Sequence, residues 1–145
     1  MLRSVDINRC RIVRDQTVEY DSVNDCTDVV NLMHTLGYAD ATEEYFMLFC
    51  LDTHCGVVGV HEISHGVIDS TTVNLRGIFQ RAVLNNAASI IVAHNHPSNS
   101  ALPSDTDIET TKHIDAACRL MEIPLLDHII VTSDDYTSLA QEGLV

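Results

Sequence analysis

Fourteen residues, His94-Asn-His-Pro-Ser-Asn-Ser-Ala-Leu-Pro-Ser-Asp-Thr-Asp107, carry the side chains best suited to hold a metal ion. His94 and His96 are two apart. In an extended chain residues i and i+2 point the same way, so both imidazoles can aim at one ion. Neutral imidazole is a good zinc ligand. Ser104 reads as the N-cap of a helix and Asp107 stands at its N3 position, an acidic variant of the capping box. An N3 carboxylate can curl back toward the helix N-terminus, where the two histidines also emerge. Two His and one Asp then converge and leave a fourth position for water. Three protein ligands plus water is the catalytic form of a zinc site, because a structural site is closed by a fourth protein ligand. Taken singly, a His-x-His pair is often an accident and an N3 Asp is often only a cap; the joint spacing carries the signal.

The flanking sequence supplies elements that can position these groups. An apolar run, Ala87–Ala93, reads as a buried strand that delivers His94, and Asp105–Met121 reads as a helix. That helix is expected to bury Ile108, Thr111, Ala117, Cys118 and Met121. Upstream, Ser22 or Asn24 offers an N-cap for a helix over about 25–37, with Val29, Val30, Leu32, Met33 and Leu36 as its stripe and Gly37 as its stop. Tyr45–Leu51 is continuously apolar. With a turn at 52–56 and Val57–Val60 beyond it, the pattern predicts a hairpin of buried strands, entered at Glu43 and Glu44. A short strand around Val67–Ser70 and a helix over about 75–86, burying Ile78, Phe79, Ala82 and Val83, follow. Pro124 separates the Asp105 helix from a last strong strand, Leu125–Thr132, and Tyr136–Leu139 can add one more. Residues 1–23, with Val5, Ile7, Cys10 and Ile12 in local alternation, suggest one or two edge strands. Strands alternating with helices predict a three-layer α/β domain, and the hairpin makes its sheet mixed.

Composition narrows the function. A chain of 145 residues fits one domain, here 1–145 with 1–23 as an N-terminal extension, and 46% hydrophobic content allows a real core. The formal charge is −13, and no Lys/Arg cluster offers a footprint for a phosphate backbone, which argues against direct nucleic-acid binding. No signal peptide or membrane span is visible, so the expected location is the cytoplasm. The five cysteines are odd in number and contain no Cys-x-x-Cys pair, so reduced thiols are expected. Cys50 and Cys55 flank a turn and could meet across the hairpin.

The spacing His-x-His-Pro-x6-Ser-x2-Asp matches without a gap the motif of the JAB/MPN/Mov34 metalloenzymes, the JAMM motif. Asn85–Ser98 and Leu126-Asp-His-Ile-Ile-Val131 resemble the RadC-type branch of that superfamily, and the similarity covers about residues 20–145. RadC-type proteins commonly carry a helix-hairpin-helix segment before this domain, so the chain resembles the catalytic domain alone. Two positions depart from the family pattern. Asn99 stands where Gly is usual, although Asn also tolerates a positive φ. Asn74-Leu-Arg76 stands where Pro-Arg-Glu is usual.

The resemblance implies a JAB/MPN-like (cytidine-deaminase-like) fold and a zinc-dependent metallohydrolase. His94, His96 and Asp107 would be its Zn2+ ligands, and its substrate a peptide or protein whose amide or isopeptide bond is cut by metal-activated water. It also implies a general base upstream, at the start of a strand that follows the first helix. Glu44 best fits that place, and Glu62 and Glu43 are the alternatives. Ser104, beyond about 1 kcal/mol of capping, would help hold the oxyanion. Asn95, between the ligands, is expected to face away as a supporting residue, and His128 is a candidate for the same kind of role. His34, His54, His61, His65 and His113 have no partner at ligand spacing. The competing readings are a non-catalytic interaction module, a DNA-repair-associated protein, and a zinc nuclease or small-molecule amidase using the same site. A homodimer stays open.

Overall fold

The computed structural model describes residues 11–13, 15–20, 23–66 and 73–145. Along the chain run α1 (Cys26–Thr35), β1 (Tyr45–Leu51), β2 (Val57–His65), α2 (Leu75–Leu84), β3 (Ser89–Asn95), α3 (Asp105–Met121), β4 (Leu125–Val131) and β5 (Tyr136–Ser138). The five strands form one mixed sheet in the order β2-β1-β3-β4-β5. Only β3 and β4 are parallel, and α3 makes the crossover between them. This is the three-layer α/β architecture expected from the sequence.

Alternation along the strands divides the core between the two faces. Met47, Phe49, Leu51, Ile91, Ala93, Ile129 and Val131 pack with Val29, Val30 and Met33 of α1. Phe46, Leu48, Cys50, Ile90 and Val92 pack with Ile78 and Ala82 of α2 and with Ile114 and Cys118 of α3. Because β1 and β3 are covered on both faces, each is buried along its whole length apart from half-buried Tyr45.

Several local expectations need correction. The N-cap of α1 is Asp25, neither Ser22, which lies outside the described residues, nor Asn24. The reason is a reciprocal box: Asp25 accepts from Thr27 N at 2.7 Å, while Asp28 accepts from Asn24 N at 2.6 Å and Asp25 N at 3.2 Å. Gly37 does follow the helix, at φ 81°. The hairpin is not a pair of buried strands: among the described residues β2 is an edge strand, longer than expected and only partly covered. On α2, Val83 is 57% exposed and Phe79 is only partly buried, leaving Ile78 and Ala82 as the inner residues. On α3, Met121 is 43% exposed and Ile108 and Ala117 are half-buried, whereas Ile114, missed in the sequence, is fully buried. Of the proposed N-terminal strands, Val5, Ile7 and Cys10 lie outside the described residues, and Ile12 is exposed and in no strand. The strand around Val67–Ser70 also lies outside them. Cys50 is buried, Cys55 is exposed in the turn, and both are free thiols. Among the described residues, no helix is long and apolar enough to cross a membrane.

Candidate metal centre

The carboxyl end of β3 and the amino end of α3 meet on the sheet face that carries α2 and α3. His94 is the penultimate residue of β3 and is 1% exposed. Past the strand end, His96 N still donates to Val131 O at 3.0 Å, which holds its backbone against β4. Asn99 then adopts φ 62°, the conformation for which Gly is usual, and its side chain ties the loop to the far side of β4. It donates to Asp134 Oδ2 at 2.9 Å and accepts from Ser133 N at 3.2 Å. The chain returns at Ser104, whose hydroxyl accepts from Asp107 N at 3.1 Å while Ser104 N donates to Asp107 Oδ2 at 2.8 Å. This capping box turns the Asp107 carboxylate back toward the histidines.

Three residues expected to be ligands thus come together. His94 Nε2 and His96 Nε2 lie 2.9 Å apart, and they lie 3.1 and 3.3 Å from Asp107 Oδ1 and Oδ2. Nitrogen and oxygen ligands about 2.0–2.1 Å from a tetrahedral zinc stand about 3.3 Å from one another. The spacing therefore fits one such ion. Donor chemistry gives the same answer. His96 Nδ1 is 2.7 Å from Ser100 O, and a carbonyl only accepts, so Nδ1 carries the proton. In neutral His96 the Nε2 lone pair is then bare and faces the other two ligand atoms. His94, His96 and Asp107 can hold a metal.

Electrostatics hold the ligands ready. Burial alone would push the Asp107 carboxyl up, but the neighbouring imidazoles of His94 and His96, and the Ser104 N–H, keep it well below the usual carboxylate range. The Asp107 carboxylate raises His96, burial opposes that, and the Ser100 carbonyl and the charge of Glu44 add to the rise. Phe46 walls the site, with its ring stacked 5.9 Å from His94 and edge-on 5.5 Å from His128.

The glutamates separate by face. Phe46 pairs with His94 across β1 and β3, so position 44 falls opposite position 96 on the ligand face. Glu44 is half-buried, its carbonyl accepts from Gly66 N at 2.8 Å, and its charge acts on His96. Glu62 pairs with Met47, which belongs to the α1 face. Its carboxylate meets His65 Nδ1 at 2.7 Å, and its charge acts on Tyr38. Glu43 is exposed.

Two supporting residues have fuller roles than the sequence revealed. Asn95 does face away from the ligands. It accepts from Tyr45 N at 2.7 Å and donates to Glu43 O at 2.8 Å and to Ala41 O at 3.3 Å, so it fixes the backbone on both sides of Glu44. His128 is fully buried and reaches His94 directly, 2.8 Å from its Nε2 to His94 Nδ1. Thr111, taken from the sequence only as part of the helix's buried side, is its second partner. A histidine in an apolar strand and a threonine one turn beyond the ligand aspartate were the available signals. Among the other histidines, His61 contacts Asn85, His65 contacts Glu62, and His34, His54 and His113 are exposed.

Comparison with known proteins agrees with this geometry. The chain is 37% identical over 140 residues to a UPF0758 protein of Finegoldia magna, covering 96% of this chain and 61% of that protein. It is 35% identical over 142 residues to a UPF0758 protein of Chloroflexus aggregans, covering 97% and 61%. With the UPF0758 protein tlr1707 of Thermosynechococcus vestitus it shares 45% identity over 101 residues, 70% of this chain and 40% of that protein. The chain therefore spans less than two thirds of the length of these relatives. The model of the RadC-like JAB domain matches residues 23–144, from just before α1 to the last turn and across every strand that carries the site. The chain belongs to the RadC-like JAB domain family.

Proposed function

We propose that this domain is a metal-dependent hydrolase that cleaves an amide or isopeptide bond in a peptide or protein. The observation that carries the reading is the convergence of two imidazole Nε2 atoms and one carboxylate at zinc-ligand spacing, all three side chains at least four-fifths buried. Held there, zinc would supply Lewis acidity that acidifies a water and polarises a carbonyl oxygen. His94, His96 and Asp107 bind and orient the ion. Glu44, on the same face and near enough for its charge to act on His96, accepts the proton of the attacking water. It then returns the proton to the departing amine nitrogen. Ser104 keeps Asp107 turned inward, and its hydroxyl stands at the same helix end to donate toward the developing oxyanion. Phe46 excludes water from the inner side of the site.

Protein purified without added metal should contain about one zinc per chain, and His94→Ala and Asp107→Ala protein should contain none. Glu44→Gln should keep its zinc and lose hydrolysis of a peptide and isopeptide panel. Loss in Glu62→Gln with Glu44→Gln unaffected would reassign the base. Nuclease activity without peptide hydrolysis, or metal-free protein with all side chains intact, would overturn the reaction class.

A further inference from the structure

Behind the ligands lies a run of polar contacts that the hydrolytic reading does not use. His94 Nδ1 is 2.8 Å from His128 Nε2, and His128 Nδ1 is 2.6 Å from Thr111 Oγ1. Thr111 Oγ1 is in turn 2.7 Å from Asp107 O. His94, Thr111 and His128 are at most 1% exposed. Each contact lets us assign the direction of the next. A carbonyl oxygen only accepts, so the single hydroxyl proton of Thr111 goes to Asp107 O. The Thr111 oxygen must then accept, which places a proton on His128 Nδ1. Neutral His128 consequently offers a bare Nε2, and that nitrogen accepts from His94 Nδ1–H. His94 is left with a bare Nε2, aimed at His96 and Asp107.

The run also closes on itself. Asp107 belongs to it twice, through its carbonyl at the Thr111 end and through its carboxylate, 3.1 Å from His94 Nε2. Three separate elements contribute: β3 through His94, β4 through His128 and α3 through Thr111 and Asp107. Thr111 lies one helical turn beyond Asp107, so its hydroxyl satisfies that carbonyl and still faces β4. In the Nδ1–H form the facing Nε2 lone pairs of His94 and His96, 2.9 Å apart beside the Asp107 carboxylate, are what a cation would relieve. In the other tautomer the bare Nδ1 of His94 would face the bare Nε2 of His128, where no cation could relieve it, and an N–H would fill the ligand position. Such mismatches inside a protein are costly.

We propose that His128 and Thr111 are positioning residues that lock His94 in the Nδ1–H tautomer, the form that presents Nε2 to a divalent cation. This deepens the metal reading and rests on it. Outer hydrogen bonds of this kind typically change metal affinity by about 10–100-fold. His128 does not touch the reacting atoms; it acts through His94.

The test uses wild-type protein, Thr111→Val, His128→Leu and His128→Gln. Zinc affinity is read by chelator competition at pH 8, and the His94 tautomer by long-range proton–nitrogen NMR on the metal-free protein. Thr111→Val is nearly isosteric and serves as the foldable variant should the leucine variant fail to fold. It should weaken zinc by roughly tenfold or more and mix the His94 tautomers. His128→Leu should do the same. In His128→Gln the Oε1 can stand where Nε2 stood and accept from His94, so this variant should regain most of the lost affinity. Unchanged affinity and an unchanged His94 tautomer in Thr111→Val would overturn the proposal, as would an Nε2-protonated His94 in the wild type. Failure of wild-type protein to bind zinc would overturn the metal reading instead, and the NMR arm tells the two apart.

Discussion

Replacing Asn95 by Ala should be among the most damaging single changes outside the ligand set. Asn95 is fully buried and makes three hydrogen bonds to the segment before β1: one from Tyr45 N at 2.7 Å, and one each to Glu43 O at 2.8 Å and Ala41 O at 3.3 Å. Counting about 1 kcal/mol for each of the two short bonds, rather less for the long one, and a further cost for the partners left without a mate, the loss is roughly 3 kcal/mol. For a domain of this size that corresponds to about 6–12 °C in Tm. Urea denaturation of metal-free protein measures it directly. Asn95→Asp should be at least as damaging, because a carboxylate oxygen would then face the Glu43 and Ala41 carbonyls. The loss should also reach activity, since Glu44 hangs between the two residues that Asn95 grips. Zinc affinity should stay near wild type while hydrolysis falls roughly tenfold or more, the usual result of displacing a catalytic group by a fraction of an ångström. A stability loss under about 1 kcal/mol, or equal effects on zinc and on hydrolysis, would refute the reasoning.

Two further outcomes follow from the buried groups. Burial above all, and the neighbouring imidazoles of His94 and His96 against the opposing Asp107 carboxylate, hold His128 well below the ordinary histidine value of 6.5. The unfolded chain therefore takes up a proton that native, metal-free protein refuses, and stability should fall as pH drops below about 6.5 while this contribution is constant above it. The urea midpoint against pH should show that acid limb, flatter in His128→Gln; equal slopes in both proteins would contradict the assignment. Burial likewise pushes the Cys50 and Cys118 thiols up to about 12, while Cys55 is exposed. Mass-mapped alkylation of native protein at pH 8 should label Cys55 within minutes and should reach Cys50 and Cys118 only after denaturation. Rapid native labelling of either buried thiol would count against the packing around α3.

Much of the site was legible because its determinants are local. The alternation of His94 and His96, the cap at Ser104 and the N3 place of Asp107 all depend on chain geometry within fourteen residues. The apolar run of β1 and the stop at Gly37 are equally local. The inner stripe of α3 was harder. It runs Asp107, Thr110, Thr111, Ile114, Cys118, and its first three members are polar, Asp107 and Thr111 because they belong to the candidate site. Apolar periodicity therefore points to Ile108 and Met121 instead. The contacts of Asn95 and His128 were out of reach for another reason. They depend on which strands lie side by side, and neither β1 against β3 nor β4 against β3 is encoded in the spacing of one segment. Edge and centre are likewise properties of the sheet order, which is why β2 looked buried.

The capping box at Ser104 and Asp107 has one more consequence. The carboxylate that would ligate the ion is already held by the helix it begins, through Ser104 N. Demetallation should therefore leave α3 wound and the ligand cage standing, unlike in small zinc modules that collapse without their ion. A domain built this way can be emptied and refilled without passing through an unfolded chain. Its zinc occupancy would then follow the free metal in its surroundings instead of recording the moment at which the protein folded.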